Sequence, residues 1–402
     1  MKILFVSQYF WPETFKGNDI VFELAKKGHE ITVLTAKPNY PEGNFYEGYG
    51  FFKPNEEIVN GVRIIRTPII PRKNGNAIHL ALNYFSFVFF SFIIFLFKLK
   101  NNYDIILVQQ LSPIFSALPG VWMKKKYKIP MVLWVLDLWP ESISAASNFK
   151  SGILLDWINS IVKKVYSSSD HILISSRNFE KSIKEKVKKN IDITYFPNWA
   201  EDLFTNKNGV LTNISGLSSG FNIMFAGNVG ESQDFESILK AAKITETAGV
   251  NWIIIGEGRK TSWVKQEIKE KQLSNVYLLG RHPIEMMPSF FKKADVMLVS
   301  LKDEPIFSLT VPAKIQAYMA SGKIILGMLN GEGAELIKIS KCGFSVPAGN
   351  FIQLAEKAIF LASLSSQEKK IFEKNALSHY NDFFDKKMLF DQLERILKSV
   401  KH

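Results

Sequence analysis

Asn222-Ile-Met-Phe-Ala-Gly-Asn-Val-Gly230 is a short apolar run that breaks on glycines. It reads as a buried strand and a strand-to-helix turn, with a helix from near Gln233. Glycine there lets a phosphate approach the backbone, and a helix N-terminus favours negative charge; an ordinary turn reads the same way. Its place decides the fold. The residues before it, Thr205 to Gly220, are rich in Asn, Ser and Gly and read as a linker. After it, strand-like runs recur at Trp252–Ile255, Val276–Leu279, Asp295–Ser300, Lys323–Leu326 and Phe344–Val346, with helical patterns such as Phe235–Thr247 and Pro312–Ala320 between them. The first half repeats the pattern at Lys2–Ser7, Glu30–Thr35, Val62–Arg66, Asp104–Gln109, Met131–Leu136 and His171–Ser175. Asp19–Lys27 reads as a helix closed by Gly28. Alternating strands and helices predict a parallel sheet in each half, with ligands at the carboxyl ends of the strands. The tail, Gln367 to Lys401, reads as helix, with Leu389, Leu393 and Leu397 on one face.

A length of 402 residues agrees with two domains, and 47% hydrophobic with 22% charged residues is a globular composition. The formal charge of +12 asks for an acidic partner: nucleic acid, a phosphate-bearing substrate or an anionic membrane. Dispersed basic residues without a recognised motif argue against nucleic acid. Cys342 stands alone, so an internal disulfide and a cysteine zinc cluster are excluded and the chain reads as intracellular. The apolar run at Ile3–Val6 is too short for a signal-peptide core.

Leu80 to Phe97 holds no charge, and seven of its residues are Phe. Three readings follow: a membrane span, interrupted by Asn83, Ser86 and Ser91; a helix buried in the core; or an interfacial helix with its Phe face in the acyl boundary. The region from Lys98 to Lys128 adds six lysines against one acid, Asp104, beside this stretch.

Motifs with chemistry fall at strand ends. No Asp-x-Asp occurs, and no P-loop. Gly256-Glu-Gly258 lacks the third glycine of a dinucleotide site. Arg281 follows a strand and suits a diphosphate, or is an isolated surface arginine. In Glu304-Pro-Ile-Phe-Ser-Leu-Thr-Val-Pro-Ala-Lys314, Lys314 enters a helix's first turn, where a cation opposes the dipole unless a phosphate is bound; a solvated lysine is the alternative. Gly331-Glu-Gly333 leads the next helix. Asp137, at the end of Trp134-Val-Leu-Asp137, either acts on an acceptor hydroxyl or caps the next helix. Tyr9-Phe-Trp-Pro-Glu13 and Phe196-Pro-Asn-Trp199 offer rings for sugars, or core packing at Trp11 and Trp199.

Gln8-Tyr-Phe-Trp-Pro-Glu13, Gly28-His-Glu30, Pro38-Asn-Tyr-Pro41, Leu82-Asn-Tyr-Phe-Ser-Phe87, Asp137-Leu-Trp-Pro-Glu141, Pro197-Asn-Trp199, Gly227-Asn228 and Val311-Pro-Ala-Lys314 together resemble a known family. The chain looks like a GT-B glycosyltransferase of family 4, in the O-antigen and capsule branch that includes the N-acetyl-L-fucosamine transferases. The resemblance implies an α/β fold of GT-B architecture: two Rossmann-like doubly wound parallel-sheet domains facing across a cleft. The expected division is 1–202 for the acceptor domain, with a membrane-associating helix near 79–99, 203–380 for the nucleotide-sugar domain, and 381–402 for a helix packing back on the first domain.

The resemblance also implies a UDP-sugar as substrate with no cofactor, metal-independent transfer that keeps the donor's anomeric configuration, and a lipid-diphosphate-linked sugar as acceptor. It places the chain at the cytoplasmic face of the inner membrane, peripherally bound. The expected catalytic residues are Asp137 and Glu304. Expected at the donor are Gly227, Asn228, Gly230 and Arg281, together with Ser308, Lys314, Gln316 and Glu332. Expected at the acceptor are Glu13, Asn18, Trp139 and Glu141. Two departures stand out. Asn228 and Gln233 occupy places where many members carry Arg and Lys, and Leu309 and Ala317 occupy those of the family's paired glutamates, for which Glu304, Gln316 and Glu332 are the available substitutes. The rival readings are a nucleotide-sugar epimerase on the same fold and a non-catalytic membrane-binding subunit.

Overall fold

Lys2–Val6 (β1) is buried at its last four positions, as a central strand covered on both faces must be. The structure, a computed structural model, describes residues 1–146, 152–187, 189–205 and 220–401. The expected linker falls almost wholly outside the described residues. The chain divides into two compact units, Met1–Pro197 with Lys387–His402, and Asn198–Lys386. The division thus falls a few residues before 202, and the tail joins the first unit from Lys387.

The first unit is built on an eight-stranded sheet. Its further strands are Glu30–Ala36 (β2), Glu56–Val59 (β3), Val62–Thr67 (β4), Ile105–Gln110 (β5), Met131–Val135 (β6), His171–Ile174 (β7) and Asp192–Tyr195 (β8). The order is β3-β4-β2-β1-β5-β6-β7-β8. All neighbours are parallel except β3 and β4, a hairpin turned at Asn60-Gly61 with both residues at positive φ. The order reverses at β1, which pairs with both β2 and β5, and so opens a crevice at the carboxyl ends of those strands. The helices are Lys16–Lys26 (α1), Ala77–Phe97 (α2), Leu118–Tyr127 (α3), Glu141–Ala146 (α4), Gly152–Ser168 (α5) and Phe179–Lys186 (α6). The α1 helix closes at Gly28, whose N–H donates to Ala25 O (3.0 Å).

The tail breaks into two helices, Ser366–Phe383 and Lys386–Lys401, which belong to different units. No Gly or Pro marks the break; Phe384 turns inward there, 1% exposed. The last helix buries Leu389, Leu393 and Leu397, while Glu394 meets Lys27 (3.2 Å) and His29 (3.3 Å) after α1.

The second unit carries six parallel strands: Phe221–Ala226 (β9), Val250–Ile255 (β10), Val276–Gly280 (β11), Val296–Ser300 (β12), Ile324–Met328 (β13) and Gly343–Val346 (β14). Their order is β11-β10-β9-β12-β13-β14, which reverses between β9 and β12. Phe225, Trp252, Ile254, Leu298 and Leu326 meet in one core with the helix Phe235–Ile244.

Candidate functional site

In the second unit the strand-end loops are zipped backbone to backbone. Gly227 N–H donates to Ile255 O (2.9 Å), Val229 N–H to Glu257 O (3.0 Å) and Gly256 N–H to Gly280 O (2.8 Å). This closeness is why glycines stand there: at Gly256, with φ +135°, a Cβ would lie 1.8 Å from Gly227 O. At Gly331 one would lie 1.9 Å from Ser308 O, so the loops after β12 and β13 also interlock.

Lys314 opens the short helix Lys314–Ala320, and the Tyr318 hydroxyl of that helix is held by both the N–H (3.3 Å) and the C=O (3.2 Å) of Ala226. That anchor lays the lysine side chain over the end of β9. Its Nζ sits 3.7 Å from the Phe225 ring centroid, and the side chain covers Gly227. Although the residue as a whole is half-buried, burial of the ammonium pushes it down to about 7, and no carboxylate among the described residues lies within ion-pair distance.

The other donor candidates divide. Gly227 and Asn228 are exposed on the loop, and Arg281 is exposed just past Gly280. Gly230 is buried and its N–H donates to Gln233 Oε1 (3.2 Å). The helix expected from near Gln233 begins at Phe235, capped by Asp234, which accepts from Ser237 N–H (3.2 Å). Gln316 is 1% exposed, with its amide nitrogen set toward the carbonyls of Pro312 and Ala313 (both 3.2 Å); it therefore serves its own helix start. Glu304 is exposed at the start of Pro305–Ser308, Ser308 is half-buried, and Glu332 begins the helix Glu332–Ser340.

In the first unit the loops are held by side chains. Glu13 was expected to face an acceptor, but it is 1% exposed. Its carboxylate accepts from the N–H groups of Asn39 (2.8 Å), Tyr40 (2.8 Å) and Phe10 (3.3 Å), tying the loop after β1 to the loop after β2. Burial pushes its carboxyl up to about 7 although the three amides pull the other way. Asn18 belongs to the same loop, accepting from Trp11 N–H (3.0 Å) and donating to Glu13 O (2.7 Å). Asp137 is half-buried after β6 and accepts from Ser112 N–H (2.8 Å), which joins it to the loop after β5; burial raises its carboxyl. The Trp139 ring nitrogen donates to Ser112 Oγ (3.0 Å), so this ring is a wall. Glu141 meets Lys186 (2.5 Å) and Ser182 (2.6 Å); burial raises its carboxyl, but those partners hold it below the usual range.

The α2 helix inverts the usual pattern. Asn83, Ser86 and Ser91 face inward, while Phe85, Phe89, Phe92 and Phe97 are 42% to 79% exposed. Polar contacts dock it: Gln8 Nε2 donates to Asn83 Oδ1 (2.9 Å), and Asn83 Nδ2 donates to Ile70 O (2.7 Å). Full burial in the core is therefore overturned. It is the one described helix long and apolar enough to cross a membrane. Beside it, the Lys37 ammonium donates to the carbonyls of Gly50 (2.5 Å), Phe51 (3.2 Å) and Lys53 (2.5 Å), fixing a loop on which Phe52 is 97% exposed.

Residues the sequence reading passed over are Lys37, Arg66 and Arg72. The available signal was slight: Arg72 is the last cation but one before the Phe-rich helix.

Comparisons with known proteins agree with these units. The family described as "Glycosyltransferase Family 4" matches residues 18–201, and that described as "Glycosyl transferases group 1" matches residues 220–363. The chain is 28% identical over 257 residues to "Probable glycosyltransferase WbjE" of Pseudomonas aeruginosa, across 61% of this chain and 64% of that one; the match thus spans just under two thirds of that relative. It is 23% identical to "Putative colanic acid biosynthesis glycosyl transferase WcaI" of Escherichia coli, across 80% of this chain and 82% of the relative. Among solved structures, a sucrose-phosphate synthase from Thermosynechococcus elongatus superposes with a TM-score of 0.73 at 14% identity, across 99% of this chain and 98% of that one. Anabaena HepE, solved with UDP and glucose, gives 0.66 at 14% identity, across 99% of this chain and all of its own. These likenesses show the GT-B fold.

Proposed function

Because the chain belongs to the group 1/family 4 glycosyltransferases, we propose that it transfers a sugar from a UDP-sugar to a lipid-diphosphate-linked saccharide during assembly of a bacterial surface polysaccharide. An amino sugar such as N-acetyl-L-fucosamine is the donor sugar proposed. The observation that carries the reading is Lys314, an ammonium pressed onto Phe225 over the Gly227 turn with no carboxylate beside it among the described residues. A buried cation without a counter-ion costs free energy, and a diphosphate at the turn offsets that cost.

In this reading Lys314 and Arg281 stabilise the leaving diphosphate as charge builds on it. Asp137, raised by burial, orients the acceptor hydroxyl or takes its proton. No cofactor enters the proposed reaction, and the absence of Asp-x-Asp supports metal-independent transfer. The outward Phe residues of α2 and Phe52 support peripheral binding at the cytoplasmic membrane face, where a lipid-linked acceptor lies.

A panel of UDP-sugars tested for thermal stabilisation, followed by transfer to a lipid-diphosphate sugar, checks the reading. Stabilisation by one UDP-sugar and a new glycolipid on chromatography are expected. An isomerised sugar nucleotide formed from donor alone would replace transfer by epimerisation.

A further inference from the structure

Arg66 and Arg72 follow one another at the end of β4 and beyond, and the fold treats them differently. Arg66 is 1% exposed and fully engaged. Its guanidinium meets the Glu57 carboxylate, donates to the carbonyls of Trp11 (2.6 Å) and Ala36 (3.3 Å), and stacks over Tyr49 at 4.8 Å. Arg72 is half-buried and has no carboxylate within ion-pair distance among the described residues. Its guanidinium donates to Tyr9 Oη (3.3 Å) and lies over the Tyr40 ring at 4.9 Å. Most of the five donors of its fork are thus left to other partners.

Its neighbourhood is chemically specific. Ring contacts link α2 to the loop that holds Asp137: Phe85 of α2 stacks on Phe115 at 6.0 Å, Phe115 meets Trp139 edge-on at 5.9 Å, and Ser112 accepts from the Trp139 ring nitrogen while its N–H donates to Asp137. The segment carrying Arg72 is stapled to α2: Ile70 N–H donates to Ser86 Oγ (2.9 Å), Asn83 Nδ2 donates to Ile70 O, and Arg72 N–H donates to Asn39 Oδ1 (3.2 Å). Arg72 is therefore held beside a helix whose outward face carries Leu82, Phe85 and Phe89 and whose Phe85 reaches the loop that holds Asp137.

We propose that Arg72, held over Tyr40 and Tyr9 beside α2, binds the diphosphate of the lipid-linked acceptor. The saccharide then faces Asp137, and the hydrocarbon chain runs along the Phe face of α2. The assignment rests on the glycosyltransferase reading. Its chemistry is that of a planar guanidinium, permanently charged and pre-oriented by aromatic rings, meeting two oxygens at once.

The test titrates the full chain by calorimetry with geranyl diphosphate, glucose 6-phosphate and UDP. Arg72→Ala is expected to weaken geranyl diphosphate binding about 10- to 100-fold while UDP affinity and thermal midpoint stay at wild-type values. Arg72→Lys, which keeps the charge but loses the fork, should fall between. If Arg72→Ala lowers the midpoint, Arg72→Gln replaces it. Unchanged geranyl diphosphate affinity in the variants, or none in the wild type, overturns the assignment. Tighter wild-type binding of glucose 6-phosphate than of geranyl diphosphate also overturns it, in favour of a soluble phosphorylated acceptor. Loss of UDP binding in the wild type instead sinks the glycosyltransferase reading, so the two failures are distinguishable.

Discussion

The strand-end loops of the two sheets are made of different material. In the first unit they are held by side chains: Glu13 on three amides, Arg66 on two carbonyls and Glu57, Asn83 on Ile70, Asp137 on Ser112. In the second they are held by glycine backbone, Gly227 against Ile255 and Gly256 against Gly280, with one lysine laid across. A side-chain scaffold uses its own acids and arginines to fix the loops, and leaves the few that stay unpaired among the described residues, such as Arg72, to meet the proposed acceptor. A bare backbone turn lets a diphosphate come close and suits a donor.

Substitutions at four positions press on that contrast. Asp137→Asn should cost the most, about 10²- to 10⁴-fold in transfer, with UDP affinity unchanged by calorimetry. A near wild-type rate would reduce Asp137 to an anchor for Ser112. Lys314→Ala should lower transfer about 10²- to 10³-fold and weaken UDP binding as well, which Asp137→Asn does not. Lys314 also carries a pH signature. Free, it sits near about 7; a bound diphosphate favours the charged form and raises it. UDP binding at pH 7.5 should therefore take up a proton, visible as a dependence of calorimetric heat on buffer, and affinity should fall as pH rises above 7. No proton uptake would separate Lys314 from the diphosphate.

Glu13→Ala strips the acceptor from buried amides and should destabilise the protein by about 2–4 kcal/mol, read in denaturant melts. Glu13→Gln keeps an acceptor and tests the charge alone. In the fold this carboxyl holds its proton up to about 7, against 4.5 for the free group. The folded state thus binds a proton that the unfolded chain has lost, and the contribution to stability falls as pH rises from 4.5 to 7 and is level above. Glu13→Gln should flatten that slope. Gly256→Ala is expected to cost at least about 1–3 kcal/mol for the unfavourable φ alone, and more because its Cβ meets the backbone oxygen of Gly227. It should lower UDP affinity while geranyl diphosphate binding persists; the reverse would end the contrast between the loops.

Much of this was legible before the structure. The runs at β1, β2, β5, β6, β9, β10, β12 and β13 are apolar enough to be read as central strands, and Gly28 marks a helix end. The strands missed, β3 and β8, are edges: Glu56-Glu-Ile-Val alternates in exposure, and Asp192–Tyr195 is nowhere fully buried, so neither shows an apolar run. The positions of Asp137 and Gly227 were legible because each follows an apolar strand, and that of Lys314 because Pro312 marks a helix start. Glu13 was misplaced because a carboxylate in an aromatic loop looks the same whether it faces a ligand or three amides.

The sequence alone determined two alternating α/β halves and an excess of Phe beside lysines, since local apolar runs and charge spacing need no partner to be read. Only the tertiary structure decided which cations are already engaged. Arg66 is satisfied by residues from three different loops or strands and Lys37 by a loop beyond β2, whereas Arg72 and Lys314 meet rings and no acid among the described residues. Pairing of charge is a long-range property of the folded chain, and so is the outward turn of α2: its polar residues face inward because Gln8 and Ile70, distant in sequence, supply their hydrogen bonds.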